Sequence, residues 1–223
     1  MEIKVFKDIM SANQKLAQTN RAYFKDKSIA AVNVMASPGA GKTSIILEII
    51  KALKESMNFG VIEGDIASSI DAEKVGRLGI PVVQINTGGG CHLDANMIKL
   101  VVEDLELKEN SILFIENVGN LVCPSSFDLG ENIRMVIASV PEGHDKPYKY
   151  LSMFETADVI ILNKSDLLPY IDFDMDYFMK GIRALNEKAP VFQVSCKTGG
   201  GLGELFEYCK GILRRSSFDL NEN

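Results

Sequence analysis

Ala36-Ser37-Pro38-Gly39-Ala40-Gly41-Lys42-Thr43 stands between a short apolar run and a helical pattern, and this placement limits what the chain can fold into. The run Ile29–Met35 reads as a buried strand, and the spacing of apolar residues from Thr43 to Lys54 reads as a helix. Small residues in the loop let successive backbone N–H groups turn inward on a polyphosphate. The helix that follows directs its positive end at the same anion, and Lys42 adds a mobile cation. The spacing is that of the G-x-x-x-x-G-K-[ST] phosphate loop, with Ala36 in place of the first glycine. Gly39, Ala40, Gly41, Lys42, Thr43 and Ser44 are the expected phosphate contacts, and Thr43 is expected to ligate Mg²⁺.

A strand–loop–helix start of this kind predicts an α/β fold, and the rest of the chain agrees. Buried-strand candidates recur at Phe59–Glu63, Val82–Ile85, Ile112–Glu116, Met135–Val140, Val159–Asn163 and Val191–Val194. Most are separated by segments long enough for crossover helices, which predicts a mostly parallel central sheet with helices on both faces. Ligands of such sheets bind beyond the carboxyl ends of the strands. Residues 5–24 carry Val5, Ile9, Leu16 and Phe24 at loose helical spacing, so a helix over 1–25 is expected to pack on a single domain of 26–215. A flexible tail is expected over 216–223.

With 223 residues and 46% apolar content, one core is ample. The 24 basic against 30 acidic residues, net −6, argue against a chain that coats nucleic acid. Residues 1–8 alternate charge with apolar side chains, unlike a secretory leader, and no apolar run approaches a membrane span. Cys91, Cys123, Cys196 and Cys209 are too unevenly spaced for a disulfide framework, which predicts reduced thiols in the cytoplasm.

Two carboxylates stand at or just beyond strand ends, where a magnesium site needs them: Asp65 and Glu116. Each is also a candidate helix cap. Further on, Val159-Ile160-Ile161-Leu162 runs into Asn163-Lys164-Ser165-Asp166, the N-K-x-D signature by which G domains select guanine. A carboxylate at Asp166 can accept from both guanine N1–H and the exocyclic amine, a pairing that adenine cannot reproduce. The Lys164 stem can lie along the base, and Asn163 would brace the loop. Ser195-Cys196-Lys197, about thirty residues later, resembles the S-A-K loop that closes over guanine O6. The three motifs in this order point to GTP rather than ATP.

Glu116-Asn117-Val118-Gly119 has the form E-x-x-G, with no glutamine following, so intrinsic hydrolysis is expected to be slow. In dimerising G proteins of similar loop arrangement an Asp at the place of Asp65 orients the attacking water. By that resemblance Asp65 and Lys42 are the expected catalytic residues, and assembly of two chains would regulate turnover.

Thr87-Gly88-Gly89-Gly90-Cys91-His92-Leu93-Asp94-Ala95 and Glu116-Asn117-Val118-Gly119-Asn120-Leu121-Val122-Cys123-Pro124 closely resemble the HypB family, nickel-insertion GTPases of [NiFe]-hydrogenase maturation. Glu63-Gly64-Asp65 and Ser139-Val140-Pro141-Glu142-Gly143 extend the resemblance over almost the whole chain. Cys91, His92 and Cys123 each follow a strand candidate, and thiolate plus imidazole suits Ni²⁺ or Zn²⁺. Three ligands leave a position for water or for a second chain. The family binds metal at its dimer interface in this way. A buried free cysteine and a helix-starting histidine are the plainer alternatives.

The resemblance implies GTP/GDP, Mg²⁺ and Ni²⁺ or Zn²⁺ as ligands, a homodimer, a partner nickel metallochaperone and a hydrogenase large-subunit precursor. Other readings are a urease-type nickel GTPase, whose C-P-H motif is absent, a cobalamin-enzyme chaperone GTPase, and a metal-responsive module with GTP as a structural ligand. The chain lacks the N-terminal C-x-x-C-G-C motif and the His-rich tract of some family members, which argues against metal storage. Gly89-Gly90 replaces a more usual charged pair. His144 replaces an Asp and is read as a solvent-exposed loop histidine, with an extra metal ligand as the alternative. Cys196 is read as the small residue of the guanine loop, and Cys209 as core.

Overall fold

The computed structural model describes residues 9–65 and 70–213, so the tail expected over 216–223 and Val5 lie outside the described residues. The chain forms a seven-stranded, wholly parallel sheet in the order β3-β2-β4-β1-β5-β6-β7. The strands are β1 (Ala30–Ala36), β2 (Asn58–Asp65), β3 (Val82–Asn86), β4 (Ser111–Glu116), β5 (Ile133–Ser139), β6 (Val159–Asn163) and β7 (Val191–Gln193). The helices are α1 (Ile9–Asp26), α2 (Lys42–Leu53), α3 (Ile70–Gly76), α4 (Ala95–Val101), α5 (Lys146–Lys149), α6 (Leu151–Glu155), α7 (Met175–Leu185) and α8 (Leu202–Lys210).

All seven residues of β1 are buried, as a central strand covered on both faces requires. Alternation along the strands assigns the faces. Val32, Val34, Phe59, Val61, Ile112 and Phe114 join Ile45, Ile49 and Leu205 in the core beneath α2 and α8. Ala31, Ile62, Leu113 and Ile115 join Phe24 and Ile98 beneath α1 and α4. A third cluster packs Val136, Ile160 and Leu162 against Phe154, Phe178 and Ile182 of α6 and α7. The strand order places β1 between β4 and β5, so the chain leaves β1 on one side of the sheet and returns to its other side. The crevice at the carboxyl end of β1 is therefore the natural ligand site.

The first helix differs in detail from its sequence reading. Its buried stripe is Asn13, Ala17, Asn20 and Phe24, while Leu16 is only partly covered. The two asparagines face inward because they have backbone partners there. Asn13 accepts from Ala95 N–H at 2.9 Å and donates to Asp128 O at 2.8 Å, and Asn20 donates to both Ala95 O and Leu129 O. Arg21 adds a bidentate ion pair to Asp128 at the rim. The helix thus fastens the start of α4 and the 128–129 turn to the body of the protein.

Candidate functional site

The phosphate loop runs from the end of β1 to Gly41, which has φ of 102° immediately before α2. A Cβ at Gly41 would meet the left-handed backbone penalty and also the side-chain amide of Asn163, so two constraints select glycine here. The loop that begins at Asn163 is laced to the phosphate loop directly. Asn163 Nδ2 donates to Ala40 O at 3.0 Å, its Oδ1 accepts from Lys164 N–H, and Lys164 Nζ donates to Gly39 O at 2.7 Å. On the other side Gly119 packs against Pro38, where an added Cβ would come within 3.0 Å of proline backbone atoms.

A cleft of about 460 Å³ opens between the two loops, bordered by Gly41, Ser44, Lys164, Asp166, Cys196 and Lys197. One of its carboxylates is held in place: Ser195 Oγ donates to Asp166 Oδ1 at 2.6 Å, and Ser195 Oγ accepts from Thr198 N–H. Burial, reinforced by the charge of Glu48, pushes the Cys196 thiol up to about 11. It therefore presents an uncharged S–H beside the cleft, and Cys209 is fully buried in the core.

At the phosphate end a second cleft, of about 270 Å³, is bordered by Lys42, Glu63, Asp65, Asp71 and Glu116. Thr43 Oγ1 donates to Glu116 Oε1 at 2.9 Å. Glu63 and Glu116 are register partners on β2 and β4, so both side chains point to the α2 face. Both residues are 3% exposed, and in each the Oε2 atom is buried without a hydrogen-bond partner. Burial, then the charges of Glu116, Asp65 and Asp71, raises the Glu63 carboxyl to about 8. Burial raises Glu116 to about 7, against the opposing pull of Lys42 and Thr43. Oxygens of Glu63, Asp71 and Glu116 lie within 4.8 Å of one another, a donor set suited to a hard divalent cation. Asp65 borders the same cleft, but its carboxylate is not one of these three. Neither Glu63 nor Asp71 was singled out as a ligand from sequence. The signal for Glu63 was present, because a residue two before Asp65 on a strand shares its face.

The third group is Cys91, His92 and Cys123, whose donor atoms also lie within 4.8 Å of one another. Cys91 and His92 sit between β3 and α4, and Cys123 begins a single 3-10 turn after β4. The two sulfurs are 2.9 Å apart, and Cys91 Sγ lies 3.5 Å from His92 Nδ1. Hydrogen bonding to Cys123 holds the Cys91 thiol above its usual range, and burial lowers His92, favouring the neutral imidazole that a metal requires. The His92 ring stacks on Phe127 with centroids 3.8 Å apart, which orients it. His92 does not start a helix: Asp94 caps α4 by accepting from Met97 N–H.

His144 stands apart from this group and is not the exposed loop residue expected. Its Nδ1 accepts from Asp174 N–H at 3.0 Å, and its half-buried ring meets Phe173 and Tyr177 edge-on. The aromatic pair supplies a packing site that the loop sequence alone does not reveal.

The nucleotide and sulfur groups are joined by the segment after β4. Asn117 is fully buried and faces away from Glu116, toward α1 and α4. Its Oδ1 accepts from Leu93 N–H and Val118 N–H, and its Nδ2 donates to Asn33 Oδ1. Asn33 Nδ2 in turn donates to Glu131 Oε1, which also accepts from Arg134. Asn120 Nδ2 donates to Cys91 O at 3.3 Å, while its Oδ1 accepts from Val122 N–H.

A family model described as CobW/HypB/UreG, nucleotide-binding domain, matches residues 30–193. The chain is similar to hydrogenase maturation factor HypB of Rhizobium leguminosarum bv. viciae, 47% identical over 92% of this chain and 69% of that protein. It is 46% identical to HypB of Azotobacter chroococcum mcd 1 over 91% of this chain and 66% of that protein, so it spans about two thirds of these relatives. The crystal structure of HypB from Helicobacter pylori in complex with nickel superposes with a TM-score of 0.86. That match has 35% identity and covers 92% of this chain and 96% of the other.

Proposed function

Since the chain belongs to the HypB family of hydrogenase maturation factors, within the CobW/HypB/UreG nucleotide-binding group, we propose that it is a Mg²⁺-dependent GTPase that delivers nickel to a [NiFe]-hydrogenase precursor. The observation that carries this reading is the convergence of Cys91, His92 and Cys123 on loops hydrogen-bonded to the segment that follows Glu116. Thiolate and imidazole donors suit nickel, and zinc fits the same set. The relative from Helicobacter pylori was crystallised with nickel.

The nucleotide reading assigns a task to each loop. Backbone N–H groups of Gly39 to Ser44 and the Lys42 ammonium hold the phosphates, and Asp166, held by Ser195, selects guanine while Asn163, Lys164, Cys196 and Lys197 frame the base. Asp65 orients the attacking water. Magnesium, held by Thr43, Asp65 and Glu116, supplies charge neutralisation at the phosphoryl oxygens. The orphaned Glu116 Oε2 and the acidic lining of the cleft fit such an ion. No glutamine follows Gly119, which favours slow intrinsic turnover.

Nickel is cargo on this reading. A contact between two copies at the sulfur group would double its ligands, so nucleotide-controlled dimerisation sets capture and release, with a nickel metallochaperone as partner in the cytoplasm. No helix among the described residues is long and apolar enough to cross a membrane.

The test is nickel titration of the purified chain with GDP and then with a non-hydrolysable GTP analogue, recording molecular mass in the same samples. Changes in both affinity and mass with nucleotide support the switch. If neither responds, the metal is a bystander and nickel delivery is withdrawn.

A further inference from the structure

We propose that Glu63 and Asp71 join Glu116 to form a divalent-cation site that this chain fills before nucleotide arrives. The inference rests on the GTPase reading, and extends it by adding two ligands and an order of binding.

Cation sites of phosphate-loop proteins usually draw most of their charge from the nucleotide itself, because magnesium keeps several waters and few protein carboxylates. The arrangement here is more acidic. Parallel pairing of β2 with β4 sets Glu63 beside Glu116 on one face of the sheet, and α3 brings Asp71 to the same place. Each glutamate has a buried oxygen without a hydrogen-bond partner, and these two residues line one cleft. Four carboxyl groups, Glu63, Asp65, Asp71 and Glu116, border this cleft against the one ammonium of Lys42 among its described lining residues.

Ionising a buried, unpartnered carboxyl is costly, and two side by side oppose each other's ionisation as well. A dication removes both penalties at once. The contacts competing for these carboxylates are modest: Glu116 accepts from Thr43, and Asp71 pairs with Lys74 at 2.6 Å in a half-exposed i,i+3 pair of a weak type. A cation in the cleft therefore draws Asp71 inward at little cost. Because Asp71 lies in the first turn of α3, a bound cation ties that helix to Glu116, next to the segment that reaches the sulfur group.

Mn²⁺ is the probe, since it takes oxygen ligands and is read directly by electron paramagnetic resonance. The full chain, freed of nucleotide and carrying Cys91→Ser and Cys123→Ser, should bind one Mn²⁺ that Mg²⁺ displaces. Glu63→Gln should weaken that binding at least tenfold, and Asp71→Asn severalfold. Binding of a fluorescent GDP in EDTA, measured on the same samples, reports separately on the nucleotide site and on folding. If the parent chain takes up Mn²⁺ only after nucleotide is added, or if a folded Glu63→Gln variant binds Mn²⁺ like the parent, the inference is overturned while the GTPase reading stands. If Glu63→Gln does not fold, Asp71→Asn at its half-exposed position decides on the same criterion. Failure to bind guanine nucleotide with Mn²⁺ binding intact would count against the GTPase reading alone.

Discussion

Asn117 Oδ1 accepts the backbone N–H of Leu93 at 3.0 Å, which joins the residue after Glu116 to the residue after His92. Two neighbouring side chains at the end of β4 thus serve opposite faces. Glu116 accepts from Thr43 of the phosphate loop, and Asn117 holds the Cys91–His92 loop. Asn120 adds a second strut to Cys91 O, three residues before Cys123. On the proposed function, a shift of the 116–120 segment would be carried to the Cys91–His92 loop through these two bonds, and to Cys123 along the chain.

The strut at Asn120 is the better place to test this, because Asn117 is fully buried and its loss would also strand Leu93 N–H and Asn33. Asn120→Ala should leave GTP and nickel binding measurable while uncoupling them. Coupling free energies between sites are typically about 1–3 kcal/mol, or about 5–150-fold in affinity. The ratio of nickel affinities with GTP analogue and with GDP should fall to within about twofold of one. An unchanged ratio in a folded Asn120→Ala variant would show that the signal takes another route.

Ser195 is expected to act on guanine through Asp166, since its hydroxyl holds one carboxylate oxygen at 2.6 Å. Hydrogen bonds to charged groups contribute about 1.5–3 kcal/mol, so Ser195→Ala should weaken GTP binding by roughly tenfold to a hundredfold. Nickel affinity without nucleotide should not change. Equal losses for GTP and ATP would mean that Ser195 supports the loop generally and not the reading of guanine.

The parallel sheet was legible because buried strands are continuous apolar runs, and Ala30–Ala36 and Val159–Asn163 stand out against polar loops. Cys91, His92 and Cys123 were legible as candidates because each follows such a run. Contacts between distant positions were not legible. Glu63 becomes a neighbour of Glu116 only through β2–β4 register, and nothing local marks that pairing. Asn13 and Asn20 share the helical face of Leu16 and Phe24, but nothing local shows that polar side chains can be buried there, because their partners come from α4 and the 128–129 turn. The packing of His144 is hidden for the same reason, since Phe173 and Tyr177 lie about thirty residues away.

Asn20 offers a stability test of that hidden stapling. Its amide donates to Ala95 O and Leu129 O from a position that is 1% exposed. Removing a buried partner costs about 1–3 kcal/mol, so Asn20→Ala should lower Tm by several degrees. Gln18→Ala, on the exposed side of the same helix, should stay within about 0.5 kcal/mol of the parent. Equal effects in thermal unfolding would show that helix propensity and not the inward amide governs α1.

Cys196 carries a prediction in pH. Burial disfavours the thiolate, and the nearby Glu48 charge disfavours it further, which raises the group to about 11 from an ordinary value of 9.0. The thiolate is the nucleophile, so at pH 8 Cys196 should present about a hundredfold less of it than a free thiol and alkylate correspondingly slowly. Its rate with iodoacetamide should still be climbing in proportion to hydroxide at pH 10, where an ordinary cysteine has levelled off. Glu48→Gln removes the repelling charge and should speed alkylation at pH 8, and GTP should slow it by covering the cleft. Peptide mass spectrometry separates Cys196 from Cys91, Cys123 and Cys209. A rate that levels near pH 9 would mean that the 195–197 loop exposes this thiol to water more than the structure shows.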